Sequence, residues 1–256
     1  MPRSGPEPDR TMSGVTRRRM PKTSEIVARD LADRIIAAEL PEGTVLPPER
    51  EMTQALGIGR TTLREALRLL ESRGALTIKS GPHGGPVVRH PSPTDLGQAL
   101  KMILQFETAT AGDLMIARLS LEPAVARAAA TAITPEELAE LRAANARLLA
   151  VIDDEDAFLE ANRAFHEILA GACGNVVLEM FTRSLMTIAD GRAVGASYSP
   201  RARKEVHAAH ERVLAAVAAG DADAAHAAML AHIEAARRHW HRRHPDLDGR
   251  PVRWAG

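Results

Sequence analysis

Four polar side chains have the types and spacing of a metal-ligand set. Asn162 and His166 are four residues apart, and residues at i and i+4 share one face of a helix. His210 lies ten residues before Gly220, and His232 lies eleven residues after Asp221. If the helices on either side of Gly220-Asp221 pair antiparallel, both imidazoles stand about 15–17 Å from the turn at about 1.5 Å per residue, level with each other. A third helix carrying Asn162 and His166 alongside would bring three imidazoles and one amide oxygen together. That set suits a divalent transition metal with open positions. The chain holds 10 histidines, and any one taken singly reads as a surface or hydrogen-bonded residue. No role falls to His207, His226, His239, His241 or His244, the last three lying in the polar stretch HWHRRHPD.

A second set lies between Leu46 and Leu76. Glu49 to Leu56 reads as a short helix, Gly57-Ile58-Gly59 as a break, and about Thr61 to Ser72 as a second helix with Leu63, Ala66, Leu67 and Leu70 on one face. Helix, glycine-bearing turn and helix make a helix-turn-helix pattern. The free face of the second helix shows Arg60, Thr61, Thr62, Arg64 and Arg68. Arginine can fork onto O6 and N7 of guanine, and hydroxyls bond phosphate or base. Leu76 to Lys79 and Val87 to Arg89 read as two short strands around the turn cluster Ser80 to Pro86. Such a hairpin makes a wing whose Gly84 and Gly85 let the backbone approach a sugar-phosphate chain. The helices alone are equally consistent with an amphipathic pair exposing a solvated charged face.

The elements that position these sets follow from periodicity and breaks. Residues 1–20 are rich in Pro, Gly, Ser and Arg and read as a disordered tail; Arg17-Arg18-Arg19 has no apolar run after it and is no signal peptide. Ser24 to Leu40 is amphipathic, capped by Ser24 and stopped before Pro41. Residues 21–90 form the winged domain. His90-Pro91-Ser92-Pro93 marks a stiff boundary, with 91–94 as linker. Residues 95–243 form a helical domain, and 244–256 a C-terminal tail. Breaks at Ala111-Gly112, Ile133 to Pro135, Asp153-Asp154, Gly171 to Asn175, Gly195 to Pro200 and Gly220-Asp221 divide it into about seven helices. The fold class is mainly α, a winged helix-turn-helix with a small β-hairpin wing followed by an all-helical bundle.

Composition narrows the function. Aromatic residues make up 3% of the chain, which argues against base-stacking modes of single-strand or RNA binding. The single cysteine, Cys173, excludes an intrachain disulfide and a multi-cysteine metal site. No stretch of about 18 apolar residues is present, so no membrane partner is expected. Residues 1–90 hold 15 Lys+Arg against 11 Asp+Glu, and the rest 18 against 22. A basic first part joined to an acidic remainder fits DNA bound by one end.

The stretch Leu40-Pro41-Glu42-Gly43, Leu46-Pro47-Pro48-Glu49-Arg50 and Leu56 to Leu67 resembles the winged helix-turn-helix of GntR-family transcription regulators, over about residues 20 to 90. The resemblance implies DNA contacts from Arg50, Arg60, Thr61, Thr62, Arg64 and the wing residues His83 and Gly84. Pro48 and Gly59 stand where serine is usual, and glycine at 59 leaves the recognition helix without a hydroxyl cap. Residues 93 to 240 resemble the effector-binding FCD domain of the FadR subfamily. The resemblance rests on Arg118 to Glu122-Pro-Ala, Asn162 to His166, Gly174-Asn175, His210 to Val217 with Gly220-Asp221, and Met229 to His232. It implies a divalent metal, zinc or nickel, on Asn162, His166, His210 and His232, with a small carboxylate effector beside it. The amide of Asn162 removes one negative charge from that set. Arg118 is the candidate carboxylate fork, with a salt bridge to Glu122 as the alternative.

The expected function is a cytoplasmic, ligand-responsive regulator, a repressor that binds double-stranded operator DNA as a homodimer. Effector binding would re-aim the winged domains through residues 90–93. Two other classes remain open. A metal-dependent hydrolase fused to a DNA-binding domain would need a general base on the ligand face, and Glu167 and Glu211 point roughly 100° away from their neighbouring histidines. An architectural DNA protein would need longer basic runs.

Overall fold

A computed structural model describes residues 22–81, 84–188, 197–243, 245–246 and 249–252. The chain divides at His90–Pro91 into two compact units.

The first unit contains α1 (Thr23–Ala37), α2 (Glu49–Leu56), α3 (Arg60–Ser72), β1 (Leu76–Lys79) and β2 (Gly85–Val88). The apolar stripe of α3 sets its core: Leu63, Ala66, Leu67 and Leu70 are buried against Val27, Ala28 and Leu31 of α1, Met52 of α2, and Leu76 and Val88 of the hairpin. The sharp turn between α2 and α3 needs Gly57, whose φ of 63° closes α2 in the left-handed region. Two expected boundaries shift. α1 starts at Thr23 and ends at Ala37, with Ser24 buried rather than capping; Glu39, at φ 48°, has already turned the chain before Pro41. The second strand starts at Gly85, not Val87, with Leu76 opposite Val88 and Lys79 opposite Gly85. Its other edge takes hydrogen bonds from residues 43–46: Leu46 N–H donates to the Pro86 carbonyl, and Val88 N–H to the Thr44 carbonyl. Pro86 accepts from Leu46 on that edge but, lacking an N–H, cannot return the bond, which suits proline's place on this short outer pairing.

The second unit contains seven helices among the described residues: α4 (Pro93–Phe106), α5 (Ala111–Ala132), α6 (Pro135–Ala150), α7 (Glu155–Gly171), α8 (Val176–Ile188), α9 (Pro200–Ala218) and α10 (Ala222–Arg243). α5 runs through the centre. Its Ala126 and Ala129 are fully buried, and small side chains there let α10 pack close through Ala225, Met229 and Ile233. α4 begins inside the 91–94 stretch read as linker, because Pro93 takes the first helical position after Ser92 and Asp95 accepts the Ser92 N–H at 2.8 Å. The break expected at Ala111-Gly112 falls earlier, at Glu107 to Thr110. Thr110 caps α5, its hydroxyl accepting from the Asp113 N–H at 3.2 Å. The stretch read as a C-terminal tail is not free throughout. The Val252 N–H donates to Ala109, the Ala111 N–H donates to Arg250, and Val252 is buried beside Leu114 and Ile188. No described helix is long and apolar enough to cross a membrane.

Candidate functional site

Because Leu63, Ala66, Leu67 and Leu70 turn one face of α3 inward, the opposite face is left outward, and Arg60, Thr61 and Arg64 are exposed there. Thr62 is half-buried, and Arg50 is exposed on α2. Arg64 is not loose: its Nε donates to Oε2 of Glu49, the first residue of α2, at 2.9 Å. Glu71 ties the helix to the hairpin by accepting the Ile78 N–H at 2.9 Å. Gly84 lies at the hairpin turn, donating to the Gly81 carbonyl at 2.9 Å. A side chain at 84 would collide with the Lys79 carbonyl oxygen, so glycine is required there by the turn itself. His83 lies outside the described residues.

In the second unit, α7 delivers His166, α9 delivers His210 and α10 delivers His232 to one point. All three are buried, and their ligating nitrogens lie within 4.8 Å of one another. His166 Nε2 and His232 Nε2 are 3.3 Å apart. Two nitrogens held tetrahedrally on one ion at about 2.0–2.1 Å would be separated by about 3.3–3.4 Å. His210 is fully buried, stacked on Phe165 at 3.9 Å between ring centroids, and neither of its ring nitrogens has a hydrogen-bond partner. Two orphaned nitrogens on a fully buried imidazole are costly unless something coordinates one of them. The residues therefore fit a metal ion.

Behind His166 stands Glu122 of α5, 2% exposed. Its Oε2 lies 2.6 Å from His166 Nδ1. Its Oε1 accepts from Arg118 Nε at 2.5 Å. A carboxylate on the far nitrogen fixes which imidazole nitrogen faces a metal. Burial pushes the Glu122 carboxyl up, but Arg118 and His166 together overcome it and hold the group well below the usual carboxylate range. Burial, reinforced by the neighbouring imidazoles, pushes His210 well down and His232 down to about 3. Both are held as neutral imidazoles, the form that ligates.

Asn162 lines a cavity of about 40 Å³ with Arg118, His166, His232, Tyr198 and Trp240. No hydrogen bond holds the Asn162 side chain among the described residues. Arg118 lines the cavity and pairs with Glu122, the salt bridge that its i,i+4 spacing offers. Sequence reasoning left Glu122 as that partner and gave it no place at the histidines; the i,i+4 spacing from Arg118 signals the ion pair but not the contact with His166. It also missed Tyr198, whose hydroxyl accepts from Trp240 Nε1 at 2.7 Å. No spacing links residues 198 and 240, which meet only through the tertiary fold.

A winged helix-turn-helix joined to a helical unit with a polar cavity defines a DNA-binding regulator with a ligand domain. Residues 23–82 match the bacterial regulatory proteins of the gntR family, and residues 113–235 match the FCD domain. The chain is 30% identical over 80% of its length to the "Putative L-lactate dehydrogenase operon regulatory protein" of Escherichia coli strain K12, covering 82% of that protein. It is 28% identical to the transcriptional repressor NanR of Edwardsiella tarda, over 86% of each chain. A solved structure, Streptococcus agalactiae GntR, superposes with a TM-score of 0.70 at 28% identity, over 84% of this chain and 99% of that one. The chain belongs to the GntR family of bacterial transcription regulators, in the branch that carries an FCD domain. Its relatives are regulators, so the hydrolase alternative is set aside: the chain is not an enzyme.

Proposed function

We propose that the protein is a repressor whose helical unit senses a small carboxylate beside a divalent metal, zinc or nickel, held by His166, His210 and His232 with Asn162. The observation that carries this reading is the buried histidine cluster with its orphaned His210 nitrogens, opening on a cavity lined, among the described residues, by two arginines and by no acid. When bound, the metal supplies an electrophilic anchor for a carboxylate oxygen. The chain's own residues do the rest: Glu122 orients His166, Arg118 offers the guanidinium nitrogens that Glu122 leaves unused, and Trp240 fixes the Tyr198 hydroxyl. One relative is named for an L-lactate dehydrogenase operon, and lactate is a small carboxylate of the kind this cavity suits.

On DNA, the protein acts as a cytoplasmic homodimer on a palindromic operator. Arg50, Arg60, Thr61, Thr62 and Arg64 enter the major groove, and the wing at His83 and Gly84 reaches the minor groove. Effector binding lowers operator affinity by favouring a different arrangement of the dimer. The test is thermal unfolding of the full-length protein with acetate, L-lactate and sugar acids, each with zinc, with nickel and with chelator. A ligand at about 100 times its Kd stabilises by about 2.7 kcal/mol. A shift that needs both metal and a carboxylate supports the reading; indifference to every metal and acid refutes it.

A further inference from the structure

We infer that metal and effector anion bind this protein as an interdependent pair, because Asn162 leaves the site without an anion of its own. The inference rests on the metal reading proposed above. The charges that face the cluster are few. His166, His210 and His232 are ligands only as neutral imidazoles, and the Asn162 amide is neutral. Among the described residues Glu122 is the one buried acid in contact with the cluster, and it is neutralised by Arg118 at 2.5 Å. Arg163, which also lines the cavity, is paired with Glu167 at 2.7 Å. Glu211, next to His210 on α9, turns to Asn145 and His207 instead. Tyr198 is kept as the neutral phenol by burial.

The charges of the described residues around the ion therefore sum to about zero before the ion arrives. A divalent cation entering a buried pocket brings two positive charges, and buried charge is costly unless it is compensated nearby. Among the described residues nothing at the cavity supplies that compensation. A carboxylate in the cavity does, and the ion in turn gives that carboxylate its counter-charge. By reciprocity, whatever factor the anion contributes to metal affinity, the metal contributes to anion affinity. A metabolite that carries the missing charge is then the condition for metal retention, so the protein reads the acid and the ion jointly. One residue sets this: an aspartate at 162 would supply the charge permanently and uncouple the two.

The experiment is a Co(II) titration of the chelator-stripped full-length protein, followed by its visible absorption bands, with acetate as the anion probe. Sodium perchlorate matches the ionic strength in the acetate-free arm. In the wild type, saturating acetate should tighten Co(II) binding by about tenfold or more, within the usual range of coupling between sites. In Asn162→Asp, binding without acetate should already be tighter than in the wild type by a similar factor, and acetate should add little. Far-ultraviolet circular dichroism of both proteins confirms that the substitution leaves the fold intact. Equal Co(II) affinity in the wild type with and without acetate overturns the interdependence and leaves the metal site standing. The same acetate dependence in Asn162→Asp also overturns it, by removing residue 162 as the cause. No Co(II) bound by either protein under any condition overturns the metal reading itself, and the inference with it.

Discussion

Glu49, the first residue of α2, holds Nε of Arg64 on α3 at 2.9 Å. The pair joins the two helices of the DNA-reading motif across their turn. Both side chains are substantially exposed, 65% for Arg64 and 35% for Glu49, so its contribution to stability is small. Its effect is directional. With Nε engaged, the two terminal nitrogens of Arg64 stay on the outer face of α3, the edge that can fork onto guanine. Arg64→Ala should weaken operator binding by about 1–3 kcal/mol and relax specificity at one base pair. Glu49→Gln should leave the unfolding midpoint nearly unchanged and shrink the ratio of operator to random-DNA affinity. Fluorescence anisotropy at two salt concentrations, on an operator selected from random DNA, checks both. An unchanged ratio in Glu49→Gln would show that Arg64 needs no steering.

Gly84 separates a contact from a constraint. A side chain there meets the Lys79 carbonyl oxygen, so Gly84→Ala should distort the hairpin at a cost of about 1–3 kcal/mol. Hydrogen exchange of the β1 and β2 amides should speed up together with the loss of DNA affinity. Lost affinity with unchanged exchange would assign Gly84 to direct approach of the DNA.

His210 opposes stability to function. Both its nitrogens are buried without partners, and replacing an unsatisfied polar group by an apolar one of similar size is neutral or stabilising. His210→Leu should leave the chelated protein as stable as the wild type, or more stable by about 1–2 kcal/mol. It should abolish the stabilisation that added metal gives. Urea unfolding with chelator and with zinc measures both halves, and a mutant that retains full metal stabilisation would remove His210 from the ligand set.

The chelated protein should also lose stability in acid. His232 falls to about 3 and His210 well below its ordinary 6.5 in the folded state. Unfolded chains take up these protons near pH 6.5 while the folded protein refuses them. The stability due to their neutral burial is therefore complete above pH 6.5 and is lost as pH falls from there, for His232 down to about 3. Urea midpoints at pH 7.5 and 5.5 should differ in that direction, and His210→Leu should reduce the difference.

Much of this was legible in the sequence, for physical reasons that differ by element. The helix-turn-helix follows from short-range rules: a 3.6-residue apolar stripe in α3 and a glycine that can adopt a positive φ at 57. The histidine cluster is legible because Gly220-Asp221 fixes the register of α9 against α10, which places His210 and His232 level. The start of β2 was not legible, because residues 43–46 complete it from across the unit. Pro93 was ambiguous on its own, since proline serves both a stiff linker and the first turn of a helix; Ser92 and Asp95 decide for the helix. Glu122 reaching past Arg118 to His166 depends on the rotation of α5 against α7, which no local pattern encodes. The contact of residues 250–252 with 109–111 spans the whole helical unit, beyond any periodicity.

That last contact bears on how the protein comes into being. The first unit draws its core from residues 27 to 88, so it can fold as soon as that stretch has left the ribosome. The helical unit cannot close then. Its central α5 waits for α10, and the turn before α5 waits for residues 250–252. Synthesis therefore yields a DNA-reading half before the half that governs it. A chain interrupted in between would carry the gntR-type unit without its FCD domain.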